Sequence, residues 1–196
     1  FLAFLPASTL VAGQKDKTLD IYWIGVEGGG ATLIVTPEDE SILIDTGNPG
    51  VRDPERIHHV ITQVAGLKQL DHMIITHWHS DHFGGAAEIA AKLPVINTWD
   101  KGVPKLTPDN KPNDTRFLLM IKPYKEMKIG KRNTIKADDL LPLRQPSRAG
   151  APRLTLRCIA ANQIFTKQKP ANAPAAKCED IRLKPKDTSD NANSCL

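Results

Sequence analysis

Apolar residues fall in short, dense runs through the first half of the chain. Thr18-Leu19-Asp20-Ile21-Tyr22-Trp23-Ile24-Gly25 is β-branched and aromatic, and predicts a strand. Ala31 to Thr36 predicts a second strand. A Pro37-Glu38-Asp39-Glu40 turn leads to a third, Ser41-Ile42-Leu43-Ile44-Asp45. These runs are nearly continuous rather than alternating, which implies strands covered on both faces or packed deep in a sandwich. The Gly28-Gly29-Gly30 triplet between the first two lacks the Lys-Ser/Thr ending of a phosphate loop and is followed by a strand, so it reads as a tight turn.

The period then changes. Asp53 can cap a helix, Pro54 suits its first position, and Ile57, Val60, Ile61 and Val64 recur at i, i+3, i+4 and i+7, with Gly66 as the C-terminal cap. His58 and His59 fall off that stripe and are expected to face solvent. Met73-Ile74-Ile75-Thr76 predicts a fourth strand, and Ala86 to Leu93 a further helix. Strand, helix, strand is the pattern of an α/β layered domain.

Beyond residue 100 the periodicity weakens. Phe117-Leu118-Leu119-Met120-Ile121 is a short apolar segment, helix or strand. Lys136 to Pro142 reads as a loop leading into a strand, and Leu154 to Ala161 is the best strand candidate in this half. Gln168 to Lys186, rich in Lys, Pro and Ala, reads as a surface excursion. Asp100 is expected in a loop-like Trp99-Asp100-Lys101-Gly102 stretch.

Composition sets the class. With 196 residues, 40% apolar and 24% charged, the chain is a soluble globular protein of one domain, not a fibrous, collagenous or disordered one. Its net charge of +4 averages two unlike halves: residues 1–99 hold 6 basic and 12 acidic groups, and residues 100–196 hold 20 and 10. The basic half can steer a polyanion such as nucleic acid, but only Phe117, Tyr124 and Phe165 are available there for stacking, so a solvated basic face is the plainer reading. The uncharged Phe1 to Gly13 segment resembles the end of a secretory signal, too short to span a membrane, and predicts an exported, periplasmic or secreted protein. Export permits disulfides, and Cys158 with Cys178 is the expected pair, leaving Cys195 over.

All six histidines lie between His58 and His82. Three of them, with one carboxylate, fall within six residues in Thr76-His77-Trp78-His79-Ser80-Asp81-His82-Phe83-Gly84-Gly85. Neutral imidazole and carboxylate are ligands of Zn²⁺ and related divalent ions. In an extended loop His77 and His79 point to one side and can share an ion. Asp81 and His82, at the turn into a helix, can reach a second position beside it. A histidine-rich surface loop is the alternative, but such loops seldom follow a buried strand.

His77-x-His79-x-Asp81-His82 resembles the HxHxDH signature of the metallo-β-lactamase fold superfamily, and Asp45-Thr46-Gly47 resembles the turn that precedes it there. Ile21 to Thr32 is similar to the first strands of the competence-type DNA-internalisation subgroup and of exported bacterial relatives. The resemblance implies an αββα sandwich over residues 18–196 and a metal-dependent hydrolase, with one or two Zn²⁺ ions supplying a hydroxide that attacks an ester, amide, lactone or phosphodiester. By the same resemblance His77, His79, Asp81 and His82 bind metal, Asp81 and His82 also serve catalysis, and Asp45 orients the loop. The family's later ligands, an Asp turn and a late His, have no counterpart after His82. The expectation is therefore a chain truncated before them, with the second half of the sandwich incomplete. A non-catalytic metal-binding or interaction protein is the alternative function.

Overall fold

The computed structural model describes residues 17–109, 115–167 and 187–196. The expected secretory segment, the 168–186 excursion and the Cys158–Cys178 pairing fall on or depend on residues outside these ranges. Cys158 and Cys195 are both buried free thiols.

One six-stranded sheet organises the described residues, in the order β1 (Asp20–Trp23), β2 (Thr32–Val35), β3 (Ser41–Ile44), β4 (Leu70–Ile75), β5 (Val95–Asp100), β6 (Lys131–Thr134). The first three strands form an antiparallel meander and β3 to β6 run parallel. Each parallel step returns through helix: α1 (Arg52–His59) with its continuing π-helical turn Val60–Val64, then α2 (Ser80–Phe83) and α3 (Ala86–Lys92), then α4 (Arg116–Met120) and α5 (Lys122–Glu126). Right-handed crossovers between strands laid down in one direction put every helix on the same face.

The dense apolar runs are explained by two cores. Leu33, Val35, Leu43, Met73 and Ile75 pack against Ile57, Ile61, Ile89 and Phe117 of the helical layer. Ile42 and Ile74, with Ile34, Ile44 and Trp99, turn to the opposite face and meet Ile135, Leu141, Leu143, Cys158 and Cys195. Alternate residues of the central strands thus feed different cores, which is why their apolar runs are nearly continuous. The second face is covered by an irregular layer that includes the short ribbon β7 (Ala160–Ala161) and β8 (Ile164–Phe165). The fold is α/β: a helical layer, the sheet, and part of a second β layer, an αββα sandwich whose second half is incomplete among the described residues.

Several local expectations are corrected. Helix α1 begins one residue before Asp53, at Arg52, with Val51 as its cap and no side-chain capping bond. The Asp53 carboxylate instead accepts from the Asn48 N–H at 2.9 Å and pairs with Arg52. His59 is exposed, while His58 is half-buried. Leu154 to Ala161 is not a continuous strand. It meets residues 138–141 at one isolated bridge, Leu140 to Arg157, with backbone bonds from Asp138 to Cys158 and from Leu141 to Leu156 on either side, and only Ala160–Ala161 is strand. The Phe117 segment is helical. Asp100 closes β5 rather than lying in a loop, and its buried carboxylate accepts from Tyr124 Oη at 2.8 Å.

Candidate metal centre

Strands β3 and β4 are parallel and end side by side, so the loops leaving them meet at one rim of the sheet, where α/β folds place their sites. From β3 comes Asp45, and from β4 comes Thr76 followed by the histidine loop. His79 is still extended (φ −85°, ψ 142°), and α2 begins with Ser80. Asp81 and His82 therefore leave on a helical turn while His77 and His79 leave on an extended one, as the spacing predicts.

Asp45 joins the two loops. Its Oδ1 accepts from the Thr76 N–H at 2.8 Å; its Oδ2 accepts from the Thr76 hydroxyl at 2.7 Å and lies 2.7 Å from His82 Nδ1. The glycine triplet completes the cradle. A Cβ on Gly29 would stand 1.9 Å from the Asp81 carbonyl oxygen, and one on Gly30 would stand 3.2 Å from Asp45 Oδ2. The triplet is thus more than a turn: it lets β1–β2 backbone lie against the histidine loop.

Proton bookkeeping assigns the imidazoles. The Thr76 hydroxyl donates to the carboxylate of Asp45, the stronger acceptor, so its lone pair accepts from His77 Nδ1 at 3.0 Å. His79 Nε2 faces Asp109 Oδ1 at 2.9 Å and carries the other proton. What remains is His77 Nε2 opposite His79 Nδ1, 3.1 Å apart, each with a lone pair directed at the other. Burial first, then the neighbouring His82 and His79, push His77 down to about 4, so near neutral pH its ring is neutral. His82 moves the opposite way. Burial lowers it, but the hydrogen bond and charge of Asp45, aided by Asp81, outweigh this and raise it.

Two of these nitrogens, His77 Nε2 and His79 Nδ1, have the spacing of ligands to one divalent ion. Two nitrogens each about 2.0–2.1 Å from one tetrahedral ion stand about 3.3 Å apart, close to the observed separation. Asp45 behind His82, Thr76 behind His77 and Asp109 behind His79 are the oxygen partners that hold imidazole ligands in one tautomer. The His82 ring packs beside this pair, its centroid 4.0 Å from that of His77. The Asp81 carboxylate comes only to 3.8 Å of His82 Nε2. Among the described residues no three His, Cys, Asp or Glu side chains converge on one ion position. Beside His79 opens a cleft of about 270 Å³, lined by Phe83, Phe117, Met120, Arg116 and Asp109 among others.

Sequence reasoning did not single out Thr76, Asp109, Lys101 or Asp190, all of which contact this loop or its supports. Only Thr76 carried a signal, by adjoining His77. The rest arrive from distant segments through tertiary contacts. No helix among the described residues is long and apolar enough to cross a membrane.

A UPF0173 metal-dependent hydrolase of Koribacter versatilis is 37% identical over 106 residues, which are 47% of this chain and 40% of that protein. An atrochrysone carboxyl ACP thioesterase of Aspergillus fumigatus is 37% identical over 70 residues, 35% of this chain and 16% of that one. A solved subclass B3 metallo-beta-lactamase of Bradyrhizobium japonicum aligns at a TM-score of 0.49 and 23% identity, covering 74% of this chain and 50% of that chain. The chain thus spans no more than half the length of these proteins. Residues 24–148, which hold the Asp45 turn, the glycine cradle and the whole histidine loop, match the family model of the Metallo-beta-lactamase superfamily, and the chain belongs to that superfamily.

Proposed function

We propose that this chain carries the metal-binding loop of a metal-dependent hydrolase, with zinc as the expected ion. The observation that carries the reading is the pair of facing ring nitrogens, His77 Nε2 and His79 Nδ1, 3.1 Å apart with their other nitrogens tied to oxygen. A bound divalent ion supplies a nucleophile from water near neutral pH and polarises the scissile group. The chain's own residues do the rest. His77 and His79 present nitrogens to the ion, and Asp45 holds His82 beside them. Asp81 stands on the same helical turn, and the cleft at His79 offers an apolar wall with the Arg116 side chain for the substrate. Esters, amides, lactones and phosphodiesters are the substrate classes, and the name of the Aspergillus relative adds thioesters.

The test uses the full chain. Elemental analysis should find tightly held zinc. Hydrolysis of a p-nitrophenyl ester, an acyl thioester and bis(p-nitrophenyl) phosphate should include at least one activity abolished by chelation and by His79→Ala. Undiminished hydrolysis in His79→Ala refutes the assignment. Bound metal without turnover favours the non-catalytic metal-binding reading, which draws on the lack of a third converging donor among the described residues.

A further inference from the structure

Behind the metal loop lies a buried ion pair that the hydrolase reading does not use. Lys101 Nζ stands 2.7 Å from Asp190 Oδ1, with the side chains 4% and 2% exposed. Taking two charges out of water is costly, and apolar residues of similar volume commonly serve stability as well or better. The charges make sense through where they are aimed. Asp190 Oδ2 accepts the Trp78 N–H at 2.7 Å, and Trp78 is the residue between His77 and His79. A carboxylate is a stronger acceptor for that amide than any neutral group. The Asp190 N–H in turn donates at 2.9 Å to Asp109 Oδ1, the same oxygen that faces His79 Nε2. Five residues on, the Cys195 N–H donates to the Thr76 carbonyl at 2.9 Å. Lys101 is anchored too: its carbonyl accepts from Asn162 Nδ2 at 2.9 Å, and the next carbonyl, of Gly102, accepts from Trp78 Nε1 at 2.9 Å.

We propose that Asp190, paired with Lys101, is a positioning residue for the two histidines: its carboxylate fixes the backbone between them and, by anchoring its own segment, seats the Asp190 backbone N–H on Asp109, which holds the His79 ring with Nδ1 turned inward. It reaches the loop from 112 positions away in the chain, and touches neither the ion position nor the cleft. The inference rests on the metal-binding reading of the loop for its purpose, but its geometry stands apart from it.

Two readouts on the full chain decide it. In a Co²⁺ titration against a chromophoric chelator, Asp190→Ala should bind about 10–100-fold more weakly than the parent. The visible absorption of its Co²⁺ complex should shift as well. Asp190→Asn, which keeps an oxygen for the Trp78 amide, should recover part of the loss. Lys101→Met should weaken binding in the same direction. In the metal-free chain, imidazole ¹⁵N shifts should place the His79 proton on Nε2 in the parent and a mixture of tautomers in Asp190→Ala. If Asp190→Ala does not fold, Asp190→Asn and Lys101→Met carry the same comparison. Folded variants with the parent's Co²⁺ affinity and an unchanged His79 tautomer overturn the proposal. A parent that binds no metal refutes the hydrolase reading alone, because the tautomer measurement still decides for or against positioning.

Discussion

Asp45 has φ at 59°, in the left-handed region where side chains other than glycine's are uncommon, although Asp tolerates it better than most. The return for that backbone is a carboxylate that takes three partners: the Thr76 amide, the Thr76 hydroxyl and the His82 ring. It is buried, so removing it strands those donors rather than returning them to water. Asp45→Ala should therefore destabilise the fold by about 1–3 kcal/mol in urea unfolding. It should also lower metal affinity about 10–100-fold, because His82 and His77 lose the chain of bonds that sets their tautomers. An Asp45→Ala protein with parental stability and affinity would show that the junction is incidental.

At the scale of elements, the site is the meeting of two loops and a glycine-rich turn, and its tightest tolerance lies at Gly29. The β1–β2 turn lies against the Asp81 carbonyl, and a methyl group at Gly29 has no room. Either the turn or the start of α2 must move. Overpacking of this kind costs about 1–3 kcal/mol, and here the displaced element carries Asp81 and His82. Gly29→Ala should lower the melting temperature and weaken metal binding together. Gly25→Ala, where a Cβ meets nothing within 4 Å, should do neither. A parallel thermal-melt and metal-titration comparison of the two variants checks this.

Across the whole molecule, the two unlike halves of the chain are knitted together by charge as well as by the sheet. Arg144 reaches back to Asp71 at 2.6 Å, and its backbone N–H donates to Glu40 at 2.7 Å. Glu40 in turn holds His72 at 3.0 Å. The second face of the sheet also sets a pH limit. Cys195 is buried against it, its thiol donating to the Ile75 carbonyl at 3.4 Å; burial first, then neighbouring Cys158 and Asp45, push it up to about 12. A folded-state value above the unfolded one, near 8.5, means the fold favours the protonated thiol. That stability is complete below pH 8.5 and is lost as pH rises toward 12. By pH 10 the loss should reach about 1–2 kcal/mol, read by urea unfolding across the range. Cys195→Ala should flatten that alkaline slope, and a slope unchanged by the substitution would exclude the thiol as its source.

Local chemistry made part of this legible in advance. The β-branched runs, the i, i+3, i+4, i+7 stripe from Ile57 and the turn residues between them depend on neighbours a few positions away, and those elements are present. The backbone form of the histidine loop was legible for the same reason: an extended stretch leaves a strand and then turns into a helix. The Leu154–Ala161 alternation yields strand only at Ala160–Ala161, because alternation becomes a strand only where a partner supplies a continuous ladder, and residues 138–141 supply a single bridge. By itself, the sequence determined the layered α/β class and the residue types able to hold a divalent ion. Only the tertiary structure decided which nitrogens face each other, since that depends on Asp45, Asp109 and Asp190 arriving from other segments. Those contacts are settled by sheet register and by burial of the two cores, and neither is encoded in any short stretch of chain.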